Sequence, residues 1–168
     1  MLDKTGWKDL LSKAKKDDAI AQNEVGDYFS FGLKTNTNET VVRQNFKSAF
    51  SWYEKAAKNG VVEALTNMAD FFNEGKGCEK DIPKSIENYL LAIDKGSSRA
   101  ALNLGTIYRD EGNFKKAFEY YSLADKIDNA DYSFTVGLCY YYGVGVSIDK
   151  VTACKHFLKV SVDKLQMF

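Results

Sequence analysis

The chain has 168 residues, 45% of them hydrophobic and 14% aromatic, which is enough apolar material for a continuous folded core. Its 23 Lys plus Arg balance 23 Asp plus Glu, so no electrostatic footprint for a nucleic-acid backbone or an anionic membrane is expected. The opening Met1-Leu2-Asp3-Lys4 lacks an apolar leader, and the most apolar stretch, Phe134 to Val146, is short and broken by three glycines, so neither an export signal nor a membrane span is expected.

Gly6, Trp7 and Leu10 open the chain in register with Ala49, Phe50 and Tyr53, and Leu10 precedes Gly26 by the same 16 residues that separate Tyr53 from Ala69. Residues 1–17 are therefore expected to form half a repeat that covers the first core face, followed by repeats at 18–60, 61–96, 97–128 and 129–168 of a single domain. Each full repeat carries a small residue (Gly26, Ala69, Gly105, Gly137) and then a second one (Ala49, Ser85, Ala117, Ala153). The second set recurs at intervals of 36, 32 and 36 residues, a period that marks piled helix pairs. Four residues before each second small residue stands Asn45, Asp81, Asn113 or Asp149, whose side-chain oxygen suits a helix N-cap. The first helices are predicted to begin near Asp18, Val61, Ser97 and Asn129, with Gly60 and Gly96 where the preceding helices stop.

Positions −5, −1, +2 and +3 from the first small residue form one stripe at helical spacing. It reads Ala21/Val25/Tyr28/Phe29, Ala64/Met68/Phe71/Phe72, Ala100/Leu104/Ile107/Tyr108 and Tyr132/Val136/Cys139/Tyr140, and is the predicted buried face. Positions +1 and +4 of the second helix (Phe50/Tyr53, Ile86/Tyr89, Phe118/Tyr121, Cys154/Phe157) supply the opposing wall. A mid-helix glycine costs about 1 kcal/mol relative to alanine. Because Ala69 serves in the same column, the requirement there is small volume, as where two helices of one repeat approach closely.

Chemistry-bearing motifs are sparse. Cys78, Cys139 and Cys154 each replace a hydrophobe in their columns, which suits reduced, apolar thiols, with Cys139 and Cys154 the one pair that could meet across a hairpin. An odd cysteine count without an export signal favours a cytoplasmic protein. His156 is the only histidine and has no metal-ligand spacing around it. Gly75-Lys76-Gly77 lacks the strand and the ending of a phosphate loop and reads as a turn. Asn38-Glu39-Thr40 matches a glycosylation sequon, which chance explains. The many Asp and Glu are expected on solvent faces, and no catalytic residue, metal or cofactor is expected.

Ser51-Trp52-Tyr53-Glu54-Lys55-Ala56-Ala57-Lys58-Asn59-Gly60 and Val136-Gly137-Leu138-Cys139-Tyr140-Tyr141-Tyr142-Gly143-Val144-Gly145-Val146 resemble the Sel1-like repeat family, a relative of the tetratricopeptide repeat. Gly75-Lys76-Gly77 and Gly143-Val144-Gly145 are similar to the family's inter-helix loop. The third repeat lacks it, with only 12 positions from Gly105 to Ala117, and resembles a plain tetratricopeptide repeat. The first repeat has 23 positions from Gly26 to Ala49 against 16 in the second and fourth, which puts seven extra residues in a loop around Thr35 to Thr40.

The resemblance implies an all-α solenoid of antiparallel helix pairs in a right-handed superhelix, a non-enzymatic scaffold that binds a protein partner. In such an architecture positions −3, +1, +4 and +5 of the first helices line the concave surface, opposite the core stripe. Here these are Asn23, Asp27, Ser30 and Phe31, then Thr66, Asp70, Asn73 and Glu74, then Leu102, Thr106, Arg109 and Asp110, then Phe134, Leu138, Tyr141 and Tyr142. The surface thus turns from acidic to aromatic. Three covers suit the aromatic end: the tail Val162 to Phe168 folded back, a protein partner, or a second copy joined through the C-terminal end. Within the resemblance, the function is a cytoplasmic immunity protein that neutralises a toxin or, alternatively, an adaptor or chaperone-like subunit of a larger assembly, with an enzyme or a metal-binding protein as a remote alternative.

Overall fold

The computed structural model describes residues 3–35, 38–128 and 132–165, with side chains as far as Lys159. The described residues form nine helices: α1 (Lys4–Ala14), α2 (Ala19–Phe31), α3 (Phe46–Lys58), α4 (Val62–Glu74), α5 (Ile82–Asp94), α6 (Ser98–Asp110), α7 (Phe114–Ile127), α8 (Ser133–Tyr142) and α9 (Lys150–Leu165). The fold class is the expected all-α helical-repeat one. A single antiparallel ribbon, β1 (Leu33–Lys34) with β2 (Thr40–Val42), adds to it in the long first loop, where no strand was expected. Residues 36 and 37 of that loop lie outside the described residues. The chain divides into two compact units, Met1–Ala92 and Ile93–Phe168.

The predicted caps start their helices. Asn45 Oδ1 accepts the Ser48 amide at 3.0 Å, Asp81 Oδ1 the Lys84 amide at 3.0 Å and Asn113 Oδ1 the Lys116 amide at 3.3 Å. Asp149 Oδ1 takes the Val151 and Thr152 amides, both at 3.0 Å, while Oδ2 takes the Thr152 hydroxyl at 2.6 Å. Asp3, Asp18 and Ser97 cap α1, α2 and α6 in the same way, whereas Val61 offers α4 no side-chain cap. Asn129 lies outside the described residues. Helix α8 begins at Ser133, and its cap residue Tyr132 makes no capping bond.

The small residues sit where the two helices of a pair close on each other. A Cβ placed on Gly26 would stand 2.5 Å from the Tyr53 ring, on Gly105 2.7 Å from the Tyr121 ring, and on Gly137 2.6 Å from the Phe157 ring. Each glycine is thus the floor of a seat filled by the aromatic at +4 of the second helix. In the second pair Ala69 and Ser85 are both fully buried, and the Ser85 hydroxyl donates to the Ala69 carbonyl at 2.8 Å. Ala49, Ala117 and Ala153 are fully buried as well.

Within the first unit Ala49, Tyr53, Ala56, Ala64 and Phe71 form the core, with Phe46, Phe50 and Met68 against it. Helix α1 packs Trp7, Leu10 and Leu11 on Ala21 and Val25. The Gln22 amide, 1% exposed, ties that end together: its nitrogen donates to the Ala14 carbonyl at 3.2 Å and its oxygen accepts from Asn59 at 2.9 Å. In the second unit Ala117, Tyr121, Val136 and Cys139 form the corresponding core.

Cys139 is buried as expected, and burial pushes its thiol pKa up. Cys154, expected in the wall, is exposed. Its column mates Phe50 and Phe118 pack on the first helix of the next repeat, Phe50 on Phe72 at 5.2 Å and Phe118 on Tyr140 at 5.4 Å. No helix follows α9 among the described residues to receive Cys154, and all three cysteines are free thiols.

The glycine loops join repeats within each unit. Gly77 and Gly145 both take φ +70°, and a Cβ there would lie 2.3 Å from the Phe46 carbonyl oxygen and 1.9 Å from that of Phe114. Each loop therefore rests on the first turn of the preceding repeat's second helix, at a distance only glycine permits. Gly112, which turns the loopless third repeat, would meet nothing within 4 Å.

Two outcomes test these contacts. Gly105→Val overpacks the Tyr121 seat and lowers stability by about 1–3 kcal/mol in urea unfolding; unchanged melting contradicts the seat. The Thr152 hydroxyl and amide hold the Asp149 carboxyl below the usual carboxylate value. Its contribution is therefore present above the unfolded-state pKa and lost as pH falls through the folded one. Asp149→Ala lowers the urea midpoint at neutral pH, and the gap to the parent closes on acidification below the carboxylate range.

Candidate protein-binding surface

In the first unit, Asn23 and Asp27 of α2 join Tyr53 of α3 and Asn67 of α4 in an internally bonded polar network. The Tyr53 hydroxyl donates to Asp27 Oδ1 at 2.8 Å, Asn23 Nδ2 to Asp27 Oδ2 at 3.4 Å, and Asn67 Nδ2 to Asn23 Oδ1 at 3.3 Å and Asp27 Oδ1 at 3.4 Å. The Tyr89 hydroxyl donates to Asp70 in the same way. Asn23, Ser30 and Thr66, expected on an open face, are 5%, 7% and 0% exposed, a correction to that expectation. The stripe buried in these helices is wider than the core positions alone, because the −3 residues Asn23 and Thr66 and the +4 residue Ser30 are also covered. What remains toward solvent is half-buried Asp27, Asp70 and Asn73, together with exposed Phe31 and Glu74; Glu74 pairs with Lys76.

In the second unit, Leu102 is half-buried and packs on the Ala117/Tyr121/Val136/Cys139 cluster. Thr106 Oγ1 bonds to the Leu102 carbonyl at 3.1 Å and lies 3.4 Å from the Tyr121 hydroxyl. Arg109 lies exposed and doubly bonded to its neighbour Asp110, at 3.0 and 2.8 Å, a pair that adds little stability in water.

Helix α8 differs from the other first helices. Phe134, Tyr141 and Tyr142 are 53%, 41% and 67% exposed, and Leu138 is half-buried. The Phe134 ring lies 5.3 Å from Phe157, Tyr141 and Tyr142 meet edge to face at 4.9 Å, and Lys150 Nζ sits 5.5 Å over Tyr141. Of the tail expected over these rings, α9 continues in helix through Leu165, and residues 166–168 lie outside the described residues.

The +1 residue of each first helix follows the second-helix aromatic it faces. Asp27, Asp70 and Thr106 each answer a tyrosine hydroxyl, of Tyr53, Tyr89 and Tyr121. Leu138 stands in the repeat whose aromatic is Phe157, which has no hydroxyl to offer. Sequence reasoning missed Asn67, Tyr53 and Tyr89 as members of this network. The signal was the joint pattern of tyrosine with a polar +1 residue and phenylalanine with an apolar one. It also placed acids on solvent faces, whereas Asp125 is 8% exposed.

Helix pairs in repeat, with no cluster of metal-ligating side chains among the described residues, define a repeat scaffold. The Sel1 repeat model matches residues 19–61, 62–97, 98–124 and 134–159, and the chain belongs to the Sel1 repeat family, whose members generally serve as protein-interaction modules. The chain is similar to the rat (Rattus norvegicus) DAP3-binding cell death enhancer 1, at 24% identity over 161 residues that cover 72% of this chain and 32% of that protein, so it spans about a third of that relative's length. Its fold matches the crystal structure of a Sel1 repeat protein from Oxalobacter formigenes with a TM-score of 0.72 at 23% identity, over 86% of this chain and 58% of that one. It also matches c5321, a protective antigen present in uropathogenic Escherichia coli strains, with a TM-score of 0.76 at 25% identity, over 97% of this chain and 34% of that one. No helix among the described residues is long and apolar enough to cross a membrane.

Tyr53→Phe keeps the ring in its seat over Gly26 and removes the hydroxyl that donates to Asp27. Urea unfolding should show a loss of about 1.5 kcal/mol with the helical signal unchanged; no loss would mean that the hydroxyl contributes nothing to the network.

Proposed function

We propose that the chain is a non-enzymatic, cytoplasmic protein-binding module whose main anchor is the aromatic face of α8. The observation that carries this reading is the exposure of Phe134, Tyr141 and Tyr142 on one helix, at 53%, 41% and 67%. Solvated helix faces are polar by default, and clustered aromatic side chains on one are characteristic of interface hot spots. Within the second unit, Arg109 and Thr106 form secondary contacts; the first unit offers its own contact residues, Asp27, Asp70, Asn73 and Glu74, whose acids favour a basic element of a partner. The buried Asn23, Ser30 and Thr66 act by shaping the helices that carry them.

The reading in its most specific form is an immunity protein that occludes a toxin. The competing form is an adaptor or chaperone-like subunit, favoured by the likeness to a relative whose name records binding to DAP3. Affinity separates them: an inhibitor holds one partner one-to-one with a Kd of about nanomolar or below, an adaptor holds several more weakly. Leu138→Ser combined with Tyr141→Ala should abolish capture of a purified partner while circular dichroism stays helical. Undiminished capture by that variant removes the anchor.

A further inference from the structure

Three departures from the repeat pattern converge on one side of the last repeat. Asp125 stands where Ala57 and Ile93 stand in other repeats, Ser133 where Gln22, Leu65 and Ala101 stand, and His156 where Trp52, Asn88 and Tyr120 stand. The Ser133 hydroxyl donates to Asp125 Oδ1, and Lys159 Nζ reaches the same oxygen at 3.4 Å. The other oxygen, Oδ2, faces His156 Nδ1 at 3.7 Å, beyond hydrogen-bond length. His156 Nδ1 is buried and has no hydrogen-bond partner among the described residues. An orphaned polar atom beside a buried carboxylate is costly unless something completes it.

The pair lines an open pocket of about 610 Å³ between α7, α8 and α9, whose other walls include the Phe118 and Tyr140 rings, the Glu119 carboxylate and Lys126. That volume lies in the range of ordinary ligand sites. The Tyr140 and His156 rings stack at 5.8 Å and 20° and give the pocket an aromatic wall. With the imidazole proton on Nε2, Nδ1 is an acceptor without a donor and stands 3.7 Å from a second acceptor, Asp125 Oδ2.

We propose that this pocket receives the guanidinium of an arginine side chain presented by a polypeptide. A guanidinium carries several N–H donors fixed in one plane, which can serve both acceptors while its face lies against the aromatic wall. A lysine ammonium supplies the charge without the plane. An anion would meet the Asp125 and Glu119 carboxylates, with Lys126 as the cation of the lining, while Lys159 is engaged on Oδ1. The polypeptide source rests on the protein-binding reading above, but the pocket and the α8 aromatic face are tested separately.

His156 is the only histidine in the chain, so its ring resonances report the pocket without ambiguity. The full chain, labelled in histidine, is titrated with N-acetyl-arginine methylamide. The expected result is a saturable shift of the imidazole resonances, about tenfold weaker with the N-acetyl-lysine analogue and absent with the glutamine analogue. Asp125→Asn should abolish the arginine response. Should that variant not fold, His156→Phe keeps the stack and removes Nδ1, and the Tyr140 ring resonances should then show a clearly weakened response. No saturable shift, equal response to the lysine or glutamine analogue, or preference for inorganic phosphate overturns the assignment. The Leu138→Ser/Tyr141→Ala variant, which tests the aromatic anchor, should bind the arginine probe as the parent does, so failure of either idea is read independently.

Discussion

An aromatic ring lying on the backbone of a facing helix is the contact on which this chain is built. Tyr53 over Gly26, Tyr121 over Gly105 and Phe157 over Gly137 repeat it across both units, with separations that leave no room for a Cβ. Three mid-helix glycines each give up about 1 kcal/mol of helix propensity, and the dispersion and apolar burial of a whole ring offset it. The same ring decides what surface the opposite side of the helix presents. Where it ends in a hydroxyl, the neighbouring first-helix residue is polar, as at Asp27, Asp70 and Thr106. Where it is phenylalanine, that residue is Leu138, beside the aromatic face of α8. The shift from acidic to apolar character along the first helices is therefore tied to the core, and each unit's outward chemistry follows from its inner packing.

The glycine loops set which repeats are joined closely. Gly77 rests against Phe46 within the first unit and Gly145 against Phe114 within the second. The third repeat has neither loop nor contact at Gly112, and the division between the two compact units falls just before it. A repeat chain is stable through its nearest-neighbour interfaces.

The periodic features were legible because they rest on local chemistry. The caps at Asn45, Asp81, Asn113 and Asp149 are visible from residue type and offset, and the small-residue columns from spacing. What escaped depended on contacts between distant residues. Asp125, flanked by Ala124 and Lys126, reads as an ordinary solvent acid, and its burial follows from Ser133 across the turn and Lys159 from α9. Thr66 and Asn23 read as open polar positions because a 3.6-residue stripe does not reveal how wide its cover is. Cys154 shared a column with the half-buried Phe50 and Phe118, but that column is covered by the next repeat, which α9 lacks among the described residues. The ribbon of Leu33–Lys34 with Thr40–Val42 is too short for periodicity to announce.

The ring-on-glycine seat is measured most directly by a double-mutant cycle between Gly26 and Tyr53. Gly26→Val is unfavourable while the ring is present, and in a Tyr53→Ala background the valine enters the space the ring vacates, so the two changes couple by more than about 1 kcal/mol. Additive effects, within about 0.5 kcal/mol in urea unfolding, would mean that glycine and ring act separately and would contradict the packing on which the repeat depends.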